Sequence, residues 1–245
     1  MLVAFHGYGN DAFLFSTFVP YLEEEFTFVS IDLPYHGGTA WEKPDPFTKE
    51  MLKELILGMM QQFDVKQLSL LGYSIGGRIC LCIAELLPRS VDQCVLIAPD
   101  GLVFNPFYHF VTRNKIGSAL FHSFLSKDKN LRLIDRLQQY KLIDSARHRF
   151  IMHYLKTPDD RRQLLHRWQV LSLLVPDHKR LKQRITRHSI PISIYMGERD
   201  SVIPLAKAKQ FMKGLTGATL NVLNKGHRVM DEETIPLIAQ TLIQA

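Results

Sequence analysis

The chain has 245 residues, 46% hydrophobic and 22% charged, with a formal net charge of +6, which is the balance of a globular chain long enough for one α/β domain with an inserted subdomain. No apolar run approaches the span of a membrane helix, and Met1-Leu2-Val3-Ala4-Phe5-His6 lacks the basic region and cleavage site of a secretory leader. Cys80, Cys82 and Cys94 have no metal-ligand spacing and read as small buried hydrophobes of a reducing compartment, so a cytoplasmic location is expected.

In chain order, strand and helix patterns alternate, which argues for a mostly parallel sheet flanked by helices. Residues 2–5 make a short apolar strand ending in the loop His6-Gly7-Tyr8-Gly9. Asp11 can cap a helix over 12–22, with Pro20 disturbing its last turn. Residues 26–31 form a second strand, closed by Asp32-Leu33-Pro34-Tyr35-His36-Gly37. A helix fits 47–62, a third strand 68–71, and helical spacing follows over 78–87. Strands four to six fall at 94–98, 190–196 and 219–223, and 232–243 reads as a closing helix. There is no internal repeat and no low-complexity linker.

The stretch 101–188 differs from its flanks. It has no strand pattern, and its apolar residues recur at helical spacing in 130–143, 147–155 and 159–175, with Pro158 and Pro176 placed to begin helices. It carries 18 Lys+Arg against 6 Asp+Glu, while the remainder carries 12 against 18. A helical insert with its own charge, set between strands of an α/β core, is most simply a lid. Residues 1–100 and 189–245 are therefore expected to form the core, and 101–188 the lid.

Gly72-Tyr73-Ser74-Ile75-Gly76 stands between the third strand and the helical pattern after it. Strand, G-x-S-x-G and helix together are the setting of a nucleophile elbow. The turn is tight enough to strain the serine backbone, and a Cβ at Gly72 or Gly76 would collide with the neighbouring strand or helix. A serine hydroxyl is a poor nucleophile at neutral pH and needs a base, which needs an orienting carboxylate. His227, in Asn224-Lys225-Gly226-His227-Arg228 after the last strand, is the candidate base. Asp200, in Gly197-Glu198-Arg199-Asp200, is the preferred carboxylate, with Asp100 and Glu198 as rivals. Charge developing on a carbonyl oxygen also needs donors, each contributing about 3–4 kcal/mol when preorganised. The backbone N–H of Ile75, directly after the serine, and of Tyr8, in the loop after the first strand, are the candidates. His6 and His36 read as loop braces.

Taken together, His6-Gly7, Asp32-Leu33-Pro34-Tyr35-His36-Gly37, Gly72-Tyr73-Ser74-Ile75-Gly76-Gly77, Gly197-Glu198-Arg199-Asp200 and Gly226-His227 resemble, in content and order, the α/β-hydrolase superfamily. The resemblance covers the whole core and leaves the insert uncovered. It implies a triad of Ser74, Asp200 and His227, oxyanion positions at Tyr8 and Ile75, and a carboxylesterase-like serine hydrolase that cleaves an ester or thioester through an acyl-enzyme on Ser74. No metal or organic cofactor is implied. The family usually has two antiparallel strands before the His-Gly strand; here that strand begins at Met1, so the expectation is either that the first two edge strands are absent or that the chain begins inside the usual gene. A narrower resemblance is to the menaquinone-pathway synthase branch, whose elbow reads G-Y-S-M-G-G-R beside Gly72–Arg78 here. It implies an elimination with Ser74 as base and Arg78 holding substrate carboxylates; Tyr73 and Arg78 are the candidate substrate-binding side chains. A non-catalytic ligand-binding protein on the same fold is a third alternative.

The expected partner is a small-molecule ester, thioester or carboxylate. Arg147, Arg149, Arg161, Arg162 and Arg167 in the insert can grip a carboxylate or phosphate, although most of these charges read as a solvated face. No nucleic-acid-binding motif accompanies them. No integral membrane segment is expected, and peripheral contact with an anionic lipid surface stays open.

Overall fold

The computed structural model describes residues 1–43 and 45–244, with the side chains of all of these except Lys129 and Ala146. The chain divides into two compact units. The first comprises Met1–Trp41, Phe47–Phe104 and Leu174–Ala245, and the second Glu42–Pro46 and Asn105–Leu173.

The first unit is built on a six-stranded, all-parallel sheet with strands β1 (Leu2–Phe5), β2 (Phe28–Ile31), β3 (Leu68–Tyr73), β4 (Val91–Ile97), β5 (Ile192–Gly197) and β6 (Ala218–Leu223). Their spatial order is β2-β1-β3-β4-β5-β6. Strands β1 and β3 are buried along their whole length, as continuous apolar runs in a parallel sheet must be when both faces are covered. Their register sets Phe5 beside Gly72, and Gly72 in turn beside Leu96 of β4. The chain leaves β1 toward one edge for β2 and returns on the other side for β3. The order therefore reverses between β1 and β3, the place where open α/β sheets form a crevice outside their carboxyl ends.

Departures from the sequence reading have physical causes. The expected single helix over 12–22 is a 3-10 segment, Ala12–Phe18, followed by α1 (Val19–Leu22). With three residues per turn, the 3-10 segment stacks Phe15 on Phe18, both fully buried with ring centroids 6.0 Å apart. Pro20 lies at the start of α1, where its missing N–H costs nothing. Strand β4 starts at Val91, because Asp92 and Gln93 conceal it in the sequence; buried Gln93 donates to the Leu242 carbonyl at 2.6 Å. Helix α2 (Lys49–Gln62) begins once Thr48 accepts from the Met51 N–H, and α3 (Ile75–Leu86) begins directly after Ser74.

In the second unit, α4 (Pro106–Arg113), α5 (Lys115–Leu125), α6 (Asp128–Gln139), α7 (Ser145–His153) and α8 (Pro158–Val170) follow in succession. Caps define them. Asn105, Asn114 and Asp144 each accept a first-turn N–H, and Thr157 with Asp160 forms a reciprocal capping box. Helix α9 (His178–His188) belongs to the first unit, although its sequence was read with the insert. Asp177, not Pro176, caps it. Its Leu181 and Ile185 are buried four residues apart on one side, and the helix packs on α3. Two further helices complete the first unit, α10 (Leu205–Met212) and α11 (Thr234–Gln244).

Glu85 of α3 ties this side of the sheet together. Its buried carboxylate lies 2.7 Å from Lys49 Nζ of α2, accepts from the Asp177 N–H at 3.0 Å and faces Arg180 Nε at 3.8 Å. Removing one partner of a buried pair costs about 3 kcal/mol or more. Glu85→Ala is therefore expected to lower the thermal midpoint by roughly 6–12 °C, with Glu85→Gln losing less because it still accepts from Asp177; calorimetry checks both. The three cysteines are free and buried, and burial pushes the Cys82 thiol up to about 12. Ellman's reagent is expected to find them unreactive in the native protein and reactive once it is unfolded in denaturant.

Candidate active site

The residues singled out in the sequence converge at the carboxyl ends of the strands. Ser74 follows β3 with φ 51° and ψ −115°, a left-handed conformation unusual for a residue with a side chain. Three backbone hydrogen bonds hold it there. Its N–H donates to the Ile97 carbonyl at 2.9 Å, and its own carbonyl accepts from Gly77 at 3.0 Å and Asp100 at 2.8 Å. The flanking glycines are sterically required. A Cβ at Gly72 would stand 2.7 Å from Cys80 Sγ and from the Gly77 backbone, and one at Gly76 would overlap the Phe5 carbonyl. The elbow thus presses against the end of β1 on one side and the turn after β4 on the other.

His227 lies in the loop after β6. Its Nε2 is 3.2 Å from Ser74 Oγ, and its Nδ1 is 2.8 Å from Asp200 Oδ2. With a proton on Nδ1 facing the carboxylate, the Nε2 lone pair faces the serine hydroxyl. Asp200 is buried, and its other oxygen accepts from the N–H groups of Val202 and Ile203, each at 2.8 Å. The loop is seated by Gly197, where a Cβ would run into the Gly226 carbonyl. Tyr73 seats it from the other side; its hydroxyl reaches the His227 carbonyl at 3.4 Å and its ring lies 5.6 Å from the imidazole.

The two rival carboxylates lie elsewhere. Asp100 has its carboxylate 3.7 Å from Arg78 Nε. Glu198 is exposed, with its N–H bonded to the Leu223 carbonyl. Arg78 is buried, and its stem fills the space beside Gly101 where a Cβ would stand. Tyr73 is likewise buried, against Gly7 and His227.

Ile75 is the first residue of α3, where a backbone N–H has no acceptor within the helix. Tyr8 occupies a turn closed by the Asn10 N–H donating to the Gly7 carbonyl at 3.2 Å, with Gly9 at φ 75°. That loop is braced from below. His6 Nε2 accepts from the Leu33 N–H at 3.0 Å, and its Nδ1 lies 2.7 Å from the Gly7 carbonyl, which fixes the proton on Nδ1. The ring of His36 stands 5.0 Å from that of His6 and 5.7 Å, edge-on, from that of Tyr8.

Asp32 is the residue that the sequence reading passed over. Its carboxylate accepts from Ala12 at 2.6 Å and Gly38 at 2.8 Å, pinning the start of the 3-10 segment and the turn at Gly38 to the end of β2. Gly37, at φ 51°, leaves it the room, since a Cβ there would overlap the carboxylate. The available signal was an aspartate at a strand end followed by a glycine pair. Among the described residues no group of three His, Cys, Asp or Glu is placed to hold a metal, and no helix is long and apolar enough to cross a membrane.

Comparison with known proteins decides the family. Residues 1–234 match the family of the alpha/beta hydrolase fold. The chain is an α/β-hydrolase. It is similar to the uncharacterized hydrolase YugF of Bacillus subtilis (strain 168), with 24% identity over 242 residues covering 98% of this chain and 87% of that protein. It is also 24% identical over 242 residues to human monoacylglycerol lipase ABHD6, covering 94% of this chain and 71% of the lipase. A crystal structure of a hydrolase from Pseudomonas aeruginosa PA01 superimposes with a TM-score of 0.68 at 18% identity, covering 100% of this chain and 90% of the other. Family and relatives place this α/β-hydrolase among enzymes of the hydrolase class.

The Asp32 anchor has a pH signature. Burial opposes its charge, but the Gly38 and Ala12 N–H groups hold its carboxyl below the usual range. Its folded-state value is thus lower than its unfolded one. The carboxylate stabilises the fold above the unfolded value near 3.9, and the contribution is lost as pH falls through the lowered folded value. Asp32→Asn is expected to cost about 1–2 kcal/mol at neutral pH, with the gap to wild type closing below about pH 4. Thermal melts recorded from neutral to acid pH check this.

Proposed function

We propose that this α/β-hydrolase is a serine esterase that cleaves a carboxylic ester or thioester through an acyl-enzyme on Ser74. One observation carries the reading: the continuous hydrogen-bonded series Asp200–His227–Ser74, at 2.8 and 3.2 Å, ending on a hydroxyl held at a strained backbone. Ser74 Oγ attacks the carbonyl carbon while His227 Nε2 takes its proton. Asp200 keeps the imidazole in the tautomer that can accept that proton and supports the imidazolium electrostatically. The Val202 and Ile203 N–H groups hold the carboxylate aimed at the imidazole. The oxyanion is received by the N–H groups of Ile75 and Tyr8, whose placement at a helix start and in a braced turn favours negative charge. His227 then protonates the leaving alcohol or thiol. In the second half-reaction it deprotonates a water, which releases the acid and restores Ser74.

The relative named a monoacylglycerol lipase supports an ester substrate. The burial of Arg78 and its proximity to Asp100 favour this reading over an elimination in which Arg78 receives a substrate carboxylate. The reading gives the helical insert the part of a lid that selects substrates. Fluorophosphonate labelling of the purified protein followed by peptide mass spectrometry is expected to place the adduct on Ser74. With p-nitrophenyl esters, Ser74→Ala is expected to abolish turnover, and His227→Ala to lower kcat by roughly 10²–10⁴-fold. Labelling and turnover that survive Ser74→Ala would sink the proposal.

A further inference from the structure

The second unit presents an apolar surface that its own packing leaves uncovered. Helices α4 and α5 pack closely as a hairpin joined at Asn114, with Gly117 so near Phe110 that a Cβ would overlap its carbonyl. One side of the hairpin is anchored. Trp168 of α8 stacks on Phe121 at 5.4 Å, Phe107 meets both of these rings edge-on, and the Tyr108 hydroxyl donates to the Trp168 carbonyl at 3.0 Å. The outer side is open: Phe107 is 58% exposed, Phe110 44%, Ile116 70% and Leu120 60%. Phe107 and Phe110 lie three apart on α4, and Ile116 and Leu120 four apart on α5. Gly117, next to Ile116, approaches the Phe110 carbonyl, and Phe121, next to Leu120, meets the Phe107 ring, so the two pairs lie on adjoining helices. Single exposed apolar residues are ordinary, whereas four on adjoining helices mark an interaction surface.

Charge identifies the partner. Exposed Arg113 and Lys115 flank Asn114 at the turn of the hairpin. Between Asp100 and Asp128 the sequence has no acidic residue, and 105–173 carries 13 Lys+Arg against 5 Asp+Glu. We propose that the α4–α5 hairpin docks on an anionic lipid bilayer. Phe107, Phe110, Ile116 and Leu120 enter the boundary between headgroups and acyl chains, and Arg113 and Lys115 meet lipid phosphates. A bilayer offers both an apolar layer and negative charge at adjacent depths, which is what an apolar face with a basic rim requires. A second copy fits less well, because it would set two surfaces of the same positive sign against each other. The inference does not depend on the chemistry at Ser74.

Flotation of the full-length protein with vesicles tests it. Binding is expected to vesicles of phosphatidylcholine containing phosphatidylserine, to be much weaker to phosphatidylcholine alone, and to fall with added salt. Two double variants separate the contributions, Ile116→Ser with Leu120→Ser, and Arg113→Gln with Lys115→Gln. Each is expected to bind at least about tenfold more weakly while keeping the wild-type circular dichroism and thermal midpoint, since all four side chains are exposed. Failure of the wild type to float with either vesicle overturns the proposal, as does undiminished binding by both folded variants. Light scattering that shows a dimer dissolved by these substitutions, without vesicle binding, would instead make the face an interface between copies.

Discussion

A single backbone conformation organises the first unit: Ser74 at a positive φ, between a strand and a helix that leave it no alternative. Such a conformation costs on the order of 1–3 kcal/mol and persists only where its surroundings over-determine it. Here they do so from three directions. The Ile97 carbonyl and Asp100 N–H come from β4 and the turn after it, the Gly77 N–H from α3, and the Phe5 carbonyl closes the remaining space above Gly76. All of these depend on register. Were β3 to slip by one residue against β1, Gly72 would no longer stand beside Phe5, and the Phe5 carbonyl would lose its place against Gly76.

Around that point the protein uses carboxylates as anchors. Asp32 and Asp200 each follow a strand and each take two backbone N–H donors. Their remaining partners separate them. Asp32 joins the start of the 3-10 segment to the turn at Gly38, so its charge serves architecture. Asp200 has its second oxygen turned to the imidazole of His227, so the same arrangement orients that ring. The difference lies in what stands opposite each carboxylate, and that is decided by the loops after β1 and β6.

These relations explain how far the sequence could be read. The buried runs of β1 and β3 declare themselves because a strand covered on both faces has little choice of residue. The elbow does so because two glycines are forced by contact distances. The carboxylate facing His227 could not be read in the same way. Asp100, Glu198 and Asp200 all follow strand ends, and what distinguishes Asp200 is a turn through Val202 and Ile203 whose N–H groups point back at it. Polar residues hid the start of β4, and a spacing of three between Phe15 and Phe18 passed for an ordinary helix. Helix α9 was misassigned because its charge resembles the insert, whereas its allegiance is set by Leu181 and Ile185. Helices α4 and α5 were missed one by one because their aromatic residues lie on several sides, although Asn105 and Asn114 mark both starts.

Adjacent strands β4 and β5 pair residue for residue, from Cys94 beside Ile192 to Ile97 beside Tyr195, although the intervening chain from 98 to 191 includes all five helices of the second unit. Joining them closes a very long loop, and such closure is a question of chain entropy. The penalty grows only logarithmically with length, by about 0.6 kcal/mol for each doubling, and it shrinks once the intervening helices condense and draw the two ends together. Pairing across so wide a separation raises contact order and slows folding far more than it weakens the folded state. The junction therefore tolerates insertion thermodynamically, and across descent its passenger can be lengthened, shortened or exchanged while the sheet on either side stays in register.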